Sequence, residues 1–110
     1  MEQDSAIEIL AALAHPTRLS TFRLLVRHEP DGLSTGELAE ALALSQSTFS
    51  THLAVLAKAG LVQSDKQGRH FIQRVRIGAL RDLMAFLAKD CCQGRAELCE
   101  PLVAELTTCC

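Results

Sequence analysis

The chain has 110 residues, of which 48% are hydrophobic, and a formal net charge of −2. This length predicts one domain with a modest core, and the hydrophobic content excludes an intrinsically disordered chain. The sequence has no apolar run near the ~20 residues of a membrane-spanning helix and no basic, signal-like start, so we expect a cytoplasmic protein without membrane contact, whose thiols stay reduced.

The first third of the chain predicts two helices. Ile7, Leu10 and Leu13 recur at helical spacing. Pro16 fits the first turn of a second helix, where its missing N–H costs nothing. That second helix carries a stripe expected to face the core, and a turn at residues 29–32 ends it. The stripe consists of Leu19, Phe22, Leu25 and Val26.

Two capped helices follow, separated only by Ala43 and Leu44. Ser34 begins the first as an N-cap, and the glutamate three residues later completes a capping box. Ser45 caps the second helix, which Gly60 ends. The second helix is amphipathic, and three of its residues are expected to pack inward: Phe49, Leu53 and Leu56.

Two short strands are predicted next, at residues 61–64 and 70–75, joined by a loop at residues 65–69 in which Gly68 supplies the turn. Ile77, Leu80, Met84 and Leu87 then mark a fifth helix. The order of these elements predicts a mainly α fold with a small β-hairpin, which is a winged helix-turn-helix.

The charge distribution favours DNA binding despite the acidic total. Residues 45–76 carry five basic and one acidic side chain, a net of +4, whereas residues 1–44 carry −4. A local basic face matters more for phosphate contact than the sum over the chain. The candidate DNA-binding residues lie in the second capped helix and the hairpin: Gln46, Ser47, Ser50, Thr51, His52, Lys66, Arg69 and His70.

Glutamine can read adenine by paired hydrogen bonds, and short hydroxyl side chains can approach bases or phosphates closely. The alternative for each residue is structural. The hydroxyl residues can be ordinary solvent-facing positions, His52 can be a histidine beside the core, and the hairpin charges can serve solubility alone. The joint arrangement favours the functional interpretation, because no single residue is specific.

Three segments resemble the ArsR/SmtB family of bacterial metal-responsive repressors: LAHPTRLSTFRLL, LAEALALSQSTFSTHLAVLAKAGLV and GRHFIQRV. The resemblance covers roughly Ile7 to Leu87. It implies a homodimer paired through its first and last helices, double-stranded operator DNA with inverted-repeat half-sites, and release when an inducer binds. On this basis residues 1–90 form the DNA-binding and dimerisation domain, and residues 91–110 form a cysteine-rich, inducer-binding tail.

All five cysteines lie in the last twenty residues: Cys91, Cys92, Cys99, Cys109 and Cys110. In a reducing compartment such a cluster favours a metal site over a disulfide. Three thiolates without a nearby histidine favour a soft ion, whereas structural zinc normally takes four ligands. The segment CCQGRAELC also resembles the arsenic site of some family members. That resemblance implies trivalent arsenic, with antimonite as a further possibility, at Cys91, Cys92 and Cys99, without an organic cofactor.

Two other sensor sites of the family are missing. The commoner arsenic motif, ELCVCDL, aligns with GLSTGEL, so Ser34 and Gly36 stand where its cysteines would be. The zinc site of the fifth helix is absent because no histidine follows His70. On a continuous helix Cys92 and Cys99 would lie ~10.5 Å apart, too far for one ion, so we expect this segment to be bent or loosely ordered.

Several alternatives remain open. The vicinal thiols could sense oxidants or reactive sulfur, or another soft ion such as cadmium. The winged helix could serve protein contacts alone. An enzyme is not expected, since the sequence has neither a CxxC motif nor a Ser–His–acid set. Cys109 and Cys110 could add ligands, bind a second ion or be spare thiols.

Overall fold

The computed structural model describes residues 1–88 and 96–108, and the side chains of residues 1–88 and 100–106. Within these ranges the chain forms six helices and three strands. In chain order they are α1 (Gln3–Leu13), α2 (Pro16–Arg27), β1 (Leu33–Ser34), α3 (Thr35–Ala41), α4 (Gln46–Lys58), β2 (Val62–Gln67), β3 (His70–Val75), α5 (Ile77–Ala88) and α6 (Ala96–Thr108). The predicted fold class, a mainly α winged helix-turn-helix, is confirmed.

The core lies where α4 meets the other elements. Phe49 and Leu56 on its inner face are fully buried, together with Leu25 of α2 and Leu38 of α3. Helix α4 contacts α1, α2, α3 and β2. Because burying each large apolar side chain contributes about 1.5–3 kcal/mol, this face fixes the orientation of α4. The predicted inward stripe is confirmed, with Leu53 partly buried against the same core.

The helix-turn-helix is built from local hydrogen bonds. The Ser34 hydroxyl accepts from the N–H of Glu37, and the Glu37 carboxylate accepts from the N–H of Ser34 at 2.9 Å, which confirms the capping box. Those bonds, chiefly the one from the Ser34 backbone, lower the pKa of Glu37. After α3, the N–H groups of Ala43 and Leu44 donate to carbonyls of its last turn. Ala43 takes a left-handed φ of 56° to turn the chain into α4.

Helix α4 begins and ends as predicted. The Ser45 hydroxyl accepts from the N–H of Thr48 and caps the first turn. At the other end Gly60 has a φ of 80°, and the N–H groups of Gly60 and Leu61 donate to carbonyls of the last turn. A left-handed residue at this position favours glycine, so the chain leaves α4 at a defined angle and enters β2.

The wing is the β2–β3 hairpin of an antiparallel sheet with strand order β1-β3-β2. Pairing runs from Val62 opposite Val75 to Gln67 opposite His70. Strand β2 is therefore longer than the predicted 61–64, and the turn shrinks to Gly68 and Arg69. The predicted end of β2 was wrong for a physical reason. Residues 64–67 are exposed and show no alternating apolar pattern, because only backbone pairing with β3 makes them a strand. The two-residue β1 was not predicted.

The residues predicted to face the core on α2 and α5 are only partly confirmed. Leu19 was expected in the core but is 44% exposed, and Thr21 is buried instead. Its hydroxyl donates to the Thr17 carbonyl at 2.7 Å, which satisfies the polar group inside the core. In α5 the buried residue is Leu83, and Leu87 faces outward. Helix α6 was not expected. None of the described helices combines the length and apolar character needed to cross a bilayer.

Gly32 gives a test of how the sheet joins the helices. It has a φ of 74° just before β1, and a Cβ there would clash with the Gln73 carbonyl oxygen and lie 2.7 Å from Arg74 Cγ. We expect Gly32→Ala to lower the free energy of unfolding by about 2–4 kcal/mol, since left-handed strain adds to overpacking. Urea denaturation monitored by circular dichroism measures this loss.

Gly68→Ala is the matched control. Gly68 has a similar φ of 64°, but a Cβ there would meet no atom within 4 Å. This variant should cost only the backbone strain, about 1–2 kcal/mol. Equal losses at the two positions would contradict the close approach of the Gly32 loop to β3.

Candidate nucleic-acid interface

The outer face of α4 carries small polar side chains. Gln46, Ser47, Ser50 and Thr51 are all exposed in its first two turns. Their spacing places them together, while Phe49 between them points into the core. This end of a helix also presents the positive end of the helix dipole, which favours contact with phosphate. The predicted contact residues are therefore grouped on one accessible surface.

The hydroxyl groups on this face differ in the bonds they already make. Ser45 caps α4 and also donates to the Thr48 hydroxyl at 3.0 Å, so its role is structural. Thr51 donates to the Ser47 carbonyl at 3.3 Å and retains lone pairs as acceptors. Among the described side chains, that of Ser50 makes no hydrogen bond within the protein. Ser50 is thus available both to donate and to accept.

The side chain of Gln46, the first residue of α4, lies close to α3. A Cβ built on Gly36 of α3 would be 3.4 Å from Gln46 Nε2. The absence of a side chain at Gly36 therefore leaves room for the glutamine amide beside α3. Gln46 remains exposed and keeps both its carbonyl and its amide group for a base edge.

His52 sits at a joint between α4 and the start of α2. Its ring centroid is 4.4 Å from that of His15, and Arg18 Nη1 is 3.5 Å from its Nδ1. The Arg18 Nε also donates to the Ala12 carbonyl at 2.6 Å, and His15 Nδ1 accepts from the N–H of Thr17. Partial burial, followed by the charges of His15 and Arg18, lowers the pKa of His52.

A neutral His52 has a defined set of hydrogen-bonding roles. Since arginine only donates, the bond from Arg18 makes Nδ1 the acceptor and leaves the ring proton on Nε2. His52 therefore both joins α4 to the α1–α2 corner and keeps one donor for an external acceptor.

The tip of the wing is exposed and basic. The structure brings the three predicted wing residues together: Arg69 lies in the Gly68–Arg69 turn, and Lys66 and His70 lie beside it. Arg74 has a structural role instead, because its Nε forms an ion pair with Glu29 Oε1 at 3.5 Å. Phe71, for which the sequence predicts no contact, is 51% exposed beside this tip. The wing thus presents two cations and an apolar ring on one end of the hairpin.

Comparison with known proteins assigns the chain to a family. A family model described as a helix-turn-helix domain matches residues 13–65. The transcriptional activator HlyU of Vibrio cholerae is 35% identical over 96 residues, which cover 86% of each chain. Its solved structure has a TM-score of 0.63 at 34% identity and covers 79% of this chain and 97% of that chain.

Two further solved structures are similar to this chain over most of its length. An ArsR-like transcriptional regulator from Rhodococcus sp. RHA1 has a TM-score of 0.69 at 27% identity, covering 96% of this chain and 92% of that chain. A possible transcriptional regulator for arsenical resistance has a TM-score of 0.64 at 34% identity, covering 73% and 80%. The chain belongs to the ArsR/SmtB family of transcriptional regulators.

Membership of the ArsR/SmtB family identifies the parts of the interface. Helices α3 and α4 are the helix-turn-helix of a transcriptional regulator, and β2–β3 is its wing. In HTH regulators the second helix of the motif enters the major groove of DNA. The polar face of α4 is therefore the side on which DNA recognition is expected.

The contacts of three polar residues in the interface region were not predicted from the sequence: His15, Arg18 and Gln73. His15 and Arg18 stand 37 and 34 positions before His52, and Gln73 bonds to Thr35 from 38 positions away. Contacts at such separations leave no periodic signal. A hint was available for His15 alone, since a residue before Pro16 occupies an N-cap position.

The predicted thiol site lies largely outside the described residues. Cys91 and Cys92 fall between α5 and α6, and Cys109 and Cys110 follow α6. The backbone of Cys99 lies in α6, but its side chain is outside the described set. The segment predicted to be bent or loosely ordered, residues 92–99, is helical from Ala96 onward, and its first part lies outside the described residues. Among the described side chains, no three His, Cys, Asp or Glu residues are grouped closely enough to hold a metal ion.

The lowered pKa of His52 predicts a pH-dependent stability. Because the folded ring resists protonation, the unfolded chain binds more protons once the pH falls below the ordinary histidine pKa of about 6.5. The free energy of unfolding should therefore fall as the pH drops from 7.5, and level off below the folded pKa. We expect His52→Gln to show a smaller loss than the wild type.

Urea denaturation at pH 7.5 and pH 5.5 measures this difference. His70→Gln, which removes an exposed histidine from the wing tip, is the matched control. Equal losses in the wild type and His52→Gln would show that the joint with His15 and Arg18 does not disfavour protonation.

Proposed function

We propose that this chain is a homodimeric transcriptional repressor that binds operator DNA and releases it when trivalent arsenic binds its C-terminal thiols. The observation that carries the DNA-binding half is the exposed polar face of α4, held by a fully buried opposite face, beside a basic wing. Family membership supports transcriptional regulation. The direction of regulation is part of the proposal, since HlyU is a named activator.

The dimer is supported by apolar side chains on the outside of the helices. Ile7 and Leu10 of α1 are 54% and 42% exposed, and Leu87 of α5 is 56% exposed. Helices α1 and α5 contact each other, so these residues lie on neighbouring elements. A second copy of the chain would bury them. Two α4 helices would then reach successive major grooves ~34 Å apart, which suits inverted half-sites.

The arsenic half of the proposal rests on donor chemistry. Thiolates are soft ligands, and each As–OH group of arsenous acid can exchange for an As–S bond with release of one water molecule. Cys91, Cys92 and Cys99 supply three such thiols. The similarity to a possible regulator for arsenical resistance supports the same ion. Antimonite has matching chemistry and belongs to the same proposal.

A second candidate is a thiol-based redox or reactive-sulfur sensor on the same fold. It is favoured by one observation: HlyU has also been solved in a form described as reduced, at 32% identity and a TM-score of 0.61. Two neighbouring thiols can close a disulfide when an oxidant accepts two electrons. DNA release by peroxide or polysulfide, but not by arsenite, would favour this candidate.

DNA recognition can be tested on a duplex that the wild-type protein selects from a random library. Gln46→Ala should weaken binding to this duplex by about 5- to 150-fold for each half-site, or about 1–3 kcal/mol per base contact, because each protomer loses one such contact. Binding to unselected DNA should hardly change. Fluorescence anisotropy of labelled duplexes gives both dissociation constants.

Lys58→Ala is the matched control on the same helix. It removes a cation about 18 Å along α4 from Gln46, at a surface cavity that Glu8 of α1 also lines. Affinity for the selected duplex should stay within about twofold of the wild type, as for surface changes away from an interface. Failure of the wild-type protein to enrich any duplex would refute DNA recognition.

The inducer site can be tested with single cysteine variants. Cys91→Ser, Cys92→Ser and Cys99→Ser should each bind the selected duplex normally, yet need at least tenfold more arsenite for release, because each removes one of three sulfur ligands. The Cys109→Ser/Cys110→Ser double variant is the control and should release like the wild type. Normal release in all three single variants would refute the assigned site.

A further inference from the structure

Gln73 is a buried polar residue in the middle of the central strand β3. It is 2% exposed, and Thr21 is the other polar residue buried to this degree among the described side chains. The Gln73 Oε1 accepts from the Ser64 hydroxyl at 2.6 Å, and its Nε2 donates to Thr35 Oγ1 at 3.1 Å. A buried amide is costly unless it is bonded, and both ends of this one are.

The two partners belong to different parts of the DNA-binding region. Ser64 lies on β2, directly opposite Gln73 in the sheet register. Thr35 is the first residue of α3, next to the Ser34 cap. Among the described residues, the Gln73–Thr35 bond is the one side-chain hydrogen bond that connects the wing hairpin with the helix-turn-helix. One amide thus links both wing strands to the helix that supports α4.

The wing extends well beyond this link. Three residue pairs separate Gln73 from the turn, ending with Gln67 opposite His70. At about 3.3 Å a residue, the tip projects some 10 Å past the amide. Residues 64–71 are exposed and receive no support from the core. A small change of angle at Gln73 therefore becomes a larger displacement at Lys66 and Arg69.

We propose that Gln73 is a positioning residue that sets the angle of the wing relative to α4, so that Arg69 meets the DNA backbone while Gln46 meets the bases. This inference rests on the proposed DNA-binding function. The residue type fits the role, because a glutamine accepts from Ser64 and donates to Thr35 at once. Asparagine is one methylene shorter, and glutamate lacks the donor for Thr35.

A double-mutant cycle separates positioning from simple stabilisation. Gln73→Met keeps the length of the side chain and removes both hydrogen bonds. Arg69→Ala should weaken wild-type binding to the selected duplex by about fivefold or more, since a dimer loses two charged phosphate contacts. In the Gln73→Met background the same change should cost less than about twofold, because the wing is already misplaced.

The salt dependence of binding provides a second readout. Arg69→Ala should reduce the slope of log K against log salt by about one for each wing in the wild type. In Gln73→Met the slope should already be reduced. If Arg69→Ala costs the same in both backgrounds, Gln73 only stabilises the fold and the proposal is overturned. No effect of Arg69→Ala in the wild type would also overturn it, because the wing would then not touch DNA.

Thr35→Val and Ser64→Ala divide the contribution of the two bonds. Thr35→Val removes the link to α3 and should reproduce the loss of coupling to Arg69. Ser64→Ala leaves that link and should keep the wild-type coupling. Thr35 is partly exposed, so this variant tests the proposal even if Gln73→Met does not fold.

A DNA-free measurement keeps this inference distinct from the proposed function. Nuclear magnetic resonance relaxation of the backbone amides at residues 66–70 should give lower order parameters in Thr35→Val than in the wild type or Ser64→Ala. Unchanged motion would overturn the positioning role, even in a protein that binds DNA. A wild-type protein that selects no duplex would instead refute the proposed function.

Discussion

The burial of one face of α4 is the constraint on which the rest of the structure depends. Phe49 and Leu56 lie in the centre of the core, so the helix cannot rotate without exposing them. The same turns carry Gln46 and Ser50 on the outside. A helix fixed on one side presents its other side in a single orientation. The hydrophobic effect, which is non-directional, therefore determines which polar groups α4 presents on its exposed face, and these are the groups proposed to contact DNA.

Polar contacts then place the neighbouring elements relative to this helix. The Ser34 capping box starts α3, the ring of His52 meets His15 and Arg18, and the amide of Gln73 meets Thr35. These bonds use directional groups at positions where apolar packing alone would allow sliding. Side-chain hydrogen bonds contribute only about 0.5–1.5 kcal/mol each, so they specify geometry more than they add stability.

Local signals in the sequence predicted the local parts of this architecture. Caps such as Ser34 and Ser45 are recognisable because their partners lie three residues away, and Gly60 stands out because its backbone conformation suits glycine. The core face of α4 followed from its periodicity. The order of the capped helices and the hairpin predicted the wing, and the basic charge of residues 45–76 indicated the interface. The structure placed both wing cations at the hairpin tip.

Features that depend on distant parts of the chain were missed. Strand β1 is two residues long and exists because β3 pairs with it. The outer half of β2 is polar on both faces, so it has no alternating apolar pattern. Leu19 has the helical spacing of a core residue, but no neighbouring element in the described part of the chain covers it. The polar links of His52 and Gln73 span more than thirty residues. Of the two candidate sites, the DNA interface could be built from short-range patterns, whereas the sulfur ligands rest on the clustering of the cysteines, their donor chemistry and the family resemblance.

Arg18 gives the N-terminal helix a polar link to α4 in addition to their direct packing. Its guanidinium reaches from the Ala12 carbonyl, at the end of α1, to the ring of His52 on α4. Unwinding the last turn of α1 would remove that acceptor and release the cation from its place beside the ring. A change near the amino terminus that disturbs the last turn of α1 is therefore expected to be felt at the helix that carries the proposed DNA contacts.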